Sequence, residues 1–178
     1  MEIWNPQIQV MADAAQAYIG RWFRNKPPRG SFIMAGQSGC GKTRMLLALY
    51  RYARHASVRA AEDAHWKWPP QLWLMLWPEV ARAVVEAQTP MRSIIHDGLT
   101  ADLLFLDDIG AESDKYKTGE AKDALCQLLS ARAGKWTVIT TNIAPLDWPM
   151  VFDIRIADRL NRDSEIVDMT ECGSYAMR

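Results

Sequence analysis

Residues 36–43 read Gly-Gln-Ser-Gly-Cys-Gly-Lys-Thr, an unbroken G-x-x-x-x-G-K-[ST] string, and this string constrains the fold more than any other part of the chain. It works only between a strand and a helix. Its glycines let the backbone turn tightly enough for N–H groups to face phosphate oxygens, and the helix that follows adds the positive end of its dipole. The flanks meet that requirement. Residues 31–35 are short and apolar, and read as a first strand. A helix is predicted over 42–54, burying Met45, Leu46, Leu49, Tyr50 and Ala53. ATP with Mg²⁺ is therefore the expected ligand of Gly36, Gln37, Ser38, Gly39, Cys40, Gly41, Lys42 and Thr43. Lys42 is suited to the β- and γ-phosphates, and the Thr43 hydroxyl to the metal. The competing reading, a glycine-rich turn with no nucleotide, does not account for the strand and helix on either side.

The rest of the chain alternates in the same way. Asn5-Pro6 reads as an N-cap and a first helical proline, and Val10, Met11, Ala14, Tyr18 and Trp22 follow at helical spacing. The run Asn-Lys-Pro-Pro-Arg-Gly at 25–30 ends that helix. Residues 56–70 are polar and irregular and are expected to be a loop, and 71–77 a second strand. Pro78 can open a short helix carrying Val80, Ala81, Val84 and Val85. A third strand is expected at 103–106, and a helix built on Ala121, Ala124, Leu125, Leu128 and Leu129 after it. Residues 137–141 give a fourth strand, 154–160 a helix and 165–169 a fifth strand. Near-continuous apolar strands alternating with helices imply an α/β fold with a parallel sheet covered on both faces. With 178 residues, no repeat and no low-complexity tract, one domain over 1–178 is expected.

Two strand ends carry further chemistry. Leu103-Leu104-Phe105-Leu106 runs straight into Asp107-Asp108, at the edge where open parallel sheets bind ligands. Asp107 can then face the metal held by Thr43, and Asp108 can polarise an attacking water. The two acids alone could equally cap the turn through Ile109-Gly110. The strand Thr137-Val138-Ile139-Thr140-Thr141 ends in Asn142, which can orient that water or contact a γ-phosphate, or can simply start the following turn.

Composition limits the alternatives. Formal net charge is zero, so nucleic acid would have to be met by a local patch. The longest apolar run stops at Pro78, far short of the ~20 residues of a membrane helix. No secretory signal opens the chain. Cys40, Cys126 and Cys172 are scattered, which suits a reducing cytoplasm, and the three histidines lack zinc-ligand spacing. Eight tryptophans are many for this length. Trp73 and Trp77 flank Met75 at even spacing and are expected in the core, all on one strand face. Trp66 and Trp68 beside Lys67 could stack on bases or pack as a surface loop. Arg44, Arg51, Arg54 and Arg59 form either a basic strip or a solvated helix face.

The loop, the acidic strand end and the strand-terminal asparagine, in this order and spacing, resemble an AAA+ ATPase. The run Ala101-Asp102-Leu103-Leu104-Phe105-Leu106-Asp107-Asp108-Ile109-Gly110-Ala111-Glu112 carries the resemblance furthest. Thr140-Thr141-Asn142, Arg155-Ile156-Ala157-Asp158-Arg159-Leu160 and Gly173-Ser174-Tyr175 extend it. These segments are similar to helicase loaders of the DnaC/DnaI type and to the related IstB-type transposition helpers. The resemblance implies a five-stranded parallel sheet in the order 5-1-4-3-2 and ATP-dependent assembly of the protein with itself. It implies a replicative helicase or a transposase as partner, and single-stranded DNA inside a ring. By the same resemblance Asn142 is sensor 1, and Arg159, with Arg155 beside it, is an arginine finger reaching a neighbour's ATP. A surface pair bridging Asp153, Asp158 or Asp163 is the other reading of these arginines. The chain looks like a minimal version, without the loaders' N-terminal domain and without a C-terminal lid. Loaders often end in Ser-Tyr-Arg; here Ala176 follows Tyr175, and Arg178 is the next arginine.

Two other functions share this loop and size. A small-molecule phosphotransferase needs an arginine-bearing lid, which the sequence does not display. A nucleotide-dependent adaptor would bind ATP without turning it over.

Overall fold

The computed structural model describes residues 6–24, 30–62, 70–86, 90–111 and 119–172. Helix α1 (Pro6–Phe23) precedes strand β1 (Phe32–Gly36), the 36–43 loop and helix α2 (Lys42–Glu62). Strand β2 (Leu72–Leu76) runs into α3 (Trp77–Glu86), followed by the short helices α4 (Met91–Ile94) and α5 (His96–Thr100). Strand β3 (Leu103–Ile109), α6 (Glu120–Ala131) and β4 (Trp136–Thr141) come next. A 3₁₀ turn (Pro145–Asp147), α7 (Trp148–Val151), α8 (Ile154–Asn161) and β5 (Glu165–Met169) complete the order. The strands form one five-stranded sheet in the order β2-β3-β4-β1-β5, with every neighbour parallel.

Strand parity sorts the core into two layers. Phe32, Met34, Leu103, Phe105, Trp136 and Val138 face one side, where Tyr18 and Trp22 of α1 and Leu46 and Leu49 of α2 pack on them. Their neighbours Ile33, Ala35, Leu104, Leu106 and Ile139 face the other side, against α3, α6 and α8. Because the inner strands are buried on both faces, with Asp108 the one partly exposed residue, β1 and the first four residues of β3 read as continuous apolar runs. Deleting one such side chain, as in Leu46→Ala, costs about 2–5 kcal/mol.

Several expectations change. Helix α2 does not stop at residue 54 but continues to Glu62, through residues expected as loop. Between Leu49 and Arg59 this helix buries only Ala53 and Ser57, two small side chains with no apolar periodicity to announce them. Its early turns do match expectation, with Leu46, Leu49 and Ala53 buried, although Met45 and Tyr50 are only partly covered. Trp77 is fully buried but lies in α3, not on the strand, and Trp73 is 44% exposed. The reason is topology: β2 is the sheet edge, so only one neighbour strand shelters it. Val10 is exposed, and Ala15 and Ile19 take its place in the α1 core face. Asn5, Trp66, Lys67, Trp68, Glu112, the 173–175 segment, Ala176 and Arg178 lie outside the described residues.

Two buried polar groups brace the edge of the sheet opposite the loop. The Tyr18 hydroxyl donates to Gly30 O at 2.9 Å and accepts from the Thr137 N–H at 3.1 Å. Burial pushes its pKa well above the ordinary tyrosine value. Arg132 donates to Ala101 O, Trp136 O and, at 3.2 Å, Thr137 Oγ1, and burial draws its pKa down to about 10.

Candidate functional site

Parity also aims Asp107. It follows Leu103 and Phe105 at even spacing and so faces α2, whose first turn carries Thr43. Thr43 Oγ1 donates to Asp107 Oδ1 at 3.2 Å. Asp108 would face the opposite layer in a regular strand. Instead its φ is +62° and the β3–β4 register shifts between Leu106 and Ile109, which turns the carboxylate toward β4.

There it meets Asn142, whose Nδ2 donates to Asp108 Oδ1 at 2.6 Å. Lys42 Nζ donates to Asn142 Oδ1 at 2.9 Å, and to the loop carbonyls of Gly36 and Gln37 at 2.7 and 2.8 Å. Thr140 Oγ1 joins the two acids: it donates to Asp107 Oδ1 at 2.6 Å and accepts from the Asp108 N–H at 2.8 Å. Partial burial pushes the Asp108 carboxyl above its usual range, and the neighbouring Asp107 charge adds to the shift while Lys42 opposes it.

The loop's glycines have separable reasons. At Gly36 a Cβ would stand 2.4 Å from the Met169 carbonyl carbon of β5, so only glycine lets the chain leave β1 there. Gly41 has open space but φ of +92°, so backbone conformation alone requires it. Cys40 points inward, fully buried, with Sγ donating to Gln37 O at 2.9 Å. What it can offer a ligand is its backbone.

A cleft of about 880 Å³ runs along Ser38, Gly39, Gly41, Lys42 and Thr43 to Asp108 and Asn142. That volume suits a nucleotide. Ile8 and Met11 of α1 also line it, as does Arg44. Among the described residues no group of three or more His, Cys, Asp or Glu side chains gathers. A zinc-like site is therefore not what these residues fit. One hydroxyl and one carboxylate, Thr43 and Asp107, fit Mg²⁺, which takes few protein ligands and completes its shell with phosphate and water oxygens.

The structure thus brings Lys42, Thr43, Asp107, Asp108 and Asn142 together and leaves Arg155 and Arg159 apart. Both arginines lie on α8 and neither lines this cleft. Arg155 Nη2 pairs with Asp123 at 3.3 Å and Asp153 at 3.1 Å. Arg159 Nε donates to Ser130 Oγ, and Nη1 to Arg155 O, both at 2.6 Å. Thr140, Ile8 and Met11 were not assigned from the sequence. For Thr140 the signal was there: it shares the parity of Trp136 and Val138 and so faces the α2 layer with Asp107.

A parallel sheet in this order, with a glycine-rich loop leading from β1 into α2, defines the P-loop AAA+ fold. Solved structures of replication proteins share it. The DnaC helicase loader superposes with a TM-score of 0.68 at 13% identity, over 94% of this chain and 93% of that one. DnaI gives 0.67 at 18% identity, over 94% and 87%. AMPPCP-bound DnaA from Aquifex aeolicus gives 0.67 at 16% identity over 93% of this chain, which spans only 47% of DnaA. No protein-family model and no curated protein matches the chain. Among the described residues no helix is long and apolar enough to cross a membrane.

Proposed function

We propose that this protein binds and hydrolyses ATP with Mg²⁺, and acts as a helicase-loader-type DNA replication factor. One observation carries the reading: Lys42, Thr43, Asp107, Asp108 and Asn142 converge by hydrogen bonds along one cleft at the carboxyl edge of the sheet. In this reading the 36–43 backbone and Lys42 hold the phosphates, and Thr43 and Asp107 hold the metal. Bound Mg²⁺ supplies positive charge for the phosphoryl oxygens. Asp108 accepts the proton of a water whose oxygen attacks the γ-phosphorus while the bond to the β-phosphate oxygen breaks. Its raised pKa makes it a stronger base than an ordinary carboxylate. Asn142 orients that water or the γ-phosphate.

Arg159 acts in trans, on ATP held by a second copy. Its place on α8 outside its own cleft supports this, as does the lack of a carboxylate partner among the described residues. Arg155, bridged to Asp123 and Asp153, holds α8 against α6 and positions Arg159 through its carbonyl. The likeness to the DnaC helicase loader supports a helicase as partner; single-stranded DNA is the second partner that the sequence resemblance implies. A phosphate-release assay with Mg²⁺, run alongside a pull-down of helicase in the presence of a slowly hydrolysed ATP analogue, tests both halves. No release above the Lys42→Ala background sinks the enzyme reading, and no helicase recovered sinks the loader reading.

A further inference from the structure

Arg155 and Arg159 do not stand alone. Together with Arg92 of α4 they line one cleft of about 700 Å³, between α6 and α8. The charges there do not balance. Asp123, also on its wall, pairs with Arg155, which takes Asp153 as well. Arg159 is fixed by two neutral acceptors, Ser130 Oγ and Arg155 O. Arg92 is exposed, and no carboxylate pairs with it among the described residues. Two guanidiniums therefore share a concave surface without a counter-charge, an arrangement that draws a multivalent anion.

The segment just before α8 says who carries that anion. Leu146, Met150 and Ile154 are 92, 89 and 70% exposed, on the segment that leads into Arg155. Methionine and arginine beside exposed aliphatic side chains are the makings of a protein interface. A bare nucleic-acid backbone would gain nothing from covering them. We infer that Arg92 is a third arginine of the trans-acting cleft, and that it contacts the terminal phosphates of a nucleotide held by the 36–43 loop of a second copy. The inference rests on the trans reading of Arg159 above. The partner surface would be complementary in charge, since a nucleotide held by the 36–43 loop would place its phosphates in the cleft that Asp108 lines. Because the arginine cleft and the nucleotide cleft are different patches of one chain, the contact is head-to-tail.

The test uses the full chain with ATP and Mg²⁺, following phosphate release at rising protein concentration. Arg92→Ala should bind nucleotide like the parent when dilute, and turn it over about 10- to 100-fold more slowly, the scale of one hydrogen bond to a charged group. Arg92→Glu should be slower still, and Arg92→Lys should recover part of the rate. Adding Lys42→Ala protein, which keeps its own Arg92, should restore activity to Arg92→Ala. Sizing with ATP and a thermal melt check assembly and folding of each variant. Parental turnover by Arg92→Ala, with Arg159→Ala inactive and rescued by Lys42→Ala, overturns the inference and leaves the finger standing. Slow Arg92→Ala that Lys42→Ala cannot rescue puts Arg92 in its own subunit and overturns it too. Weaker single-strand binding with unchanged turnover makes the cleft a nucleic-acid surface instead. Arg159→Ala with parental turnover sinks the trans reading itself.

Discussion

Lys42 and Asn142, a hundred positions apart, meet at 2.9 Å, and the same amide reaches Asp108 at 2.6 Å. One side chain thus links the loop's lysine to the carboxylate at the end of β3. The link crosses from the start of α2 through the end of β4, so each of these groups depends on the sheet edge being intact.

Lys42→Ala should lose most ATP affinity in calorimetry. The lysine is buried and bonded to Gly36 O, Gln37 O and Asn142, so the variant should also lose about 1–3 kcal/mol of stability. Unchanged nucleotide affinity would remove the central claim.

Asp108→Asn suits the left-handed φ of +62° at this position, because asparagine tolerates that region better than alanine does. It should keep ATP binding and lose turnover by about 10²-fold. The pH profile of the parent should fall on its acid side above the ordinary carboxylate range, since burial and Asp107 raise this carboxyl. Stability follows the same sign. A raised folded-state pKa gives stabilisation that is full below the unfolded value and lost as pH rises through the folded one. At neutral pH Asp108→Asn should therefore melt above the parent, with the gap closing in acid. A variant that turns over normally returns Asp108 to a turn cap.

Thr140→Val keeps the shape but leaves the Asp108 N–H unpaired and Asp107 one donor short. It should lower stability by about 1–3 kcal/mol, and weaken Mg²⁺-dependent turnover, while Thr140→Ser preserves both. Equal melting curves for the valine and serine variants would show that the hydroxyl is idle.

Arg159→Ala should bind nucleotide and fail to hydrolyse it, then regain part of its activity when mixed with Lys42→Ala. The Lys42→Ala copy lends the arginine, and the Arg159→Ala copy keeps the intact loop. Co-assembled mixtures that stay inactive would return Arg159 to a structural bond with Ser130.

The parts of the fold that carry strong local rules were readable beforehand. The 36–43 string demanded its strand and helix, and β5 falls on residues 165–169, where a fifth strand was expected. Features set by tertiary surroundings were not readable. From Tyr50 to Arg59 α2 buries only Ala53 and Ser57, so its sequence looks like loop. Helices α4, α5 and α7 have four or five residues each, too few to display a period. Trp73 was misjudged because alternation gives the face of a strand but not whether that strand is an edge. In the site, Asp107 follows from alternation, whereas Asp108 depends on a single backbone reversal that no residue type announces.

An ammonium group has three protons, and in Lys42 the oxygens of Gly36, Gln37 and Asn142 already engage all three. An arriving phosphate oxygen cannot simply be added; it must take the place of an existing acceptor. Association at this lysine is an exchange, and its net gain is the difference between a doubly charged contact and a neutral one. Of these three oxygens, two belong to the loop itself and one to Asn142, just past the end of β4. Surrendering the asparagine contact would remove one of the two bonds that fix the amide holding Asp108, so occupancy at one end of the cleft is coupled to the freedom of the carboxylate at the other.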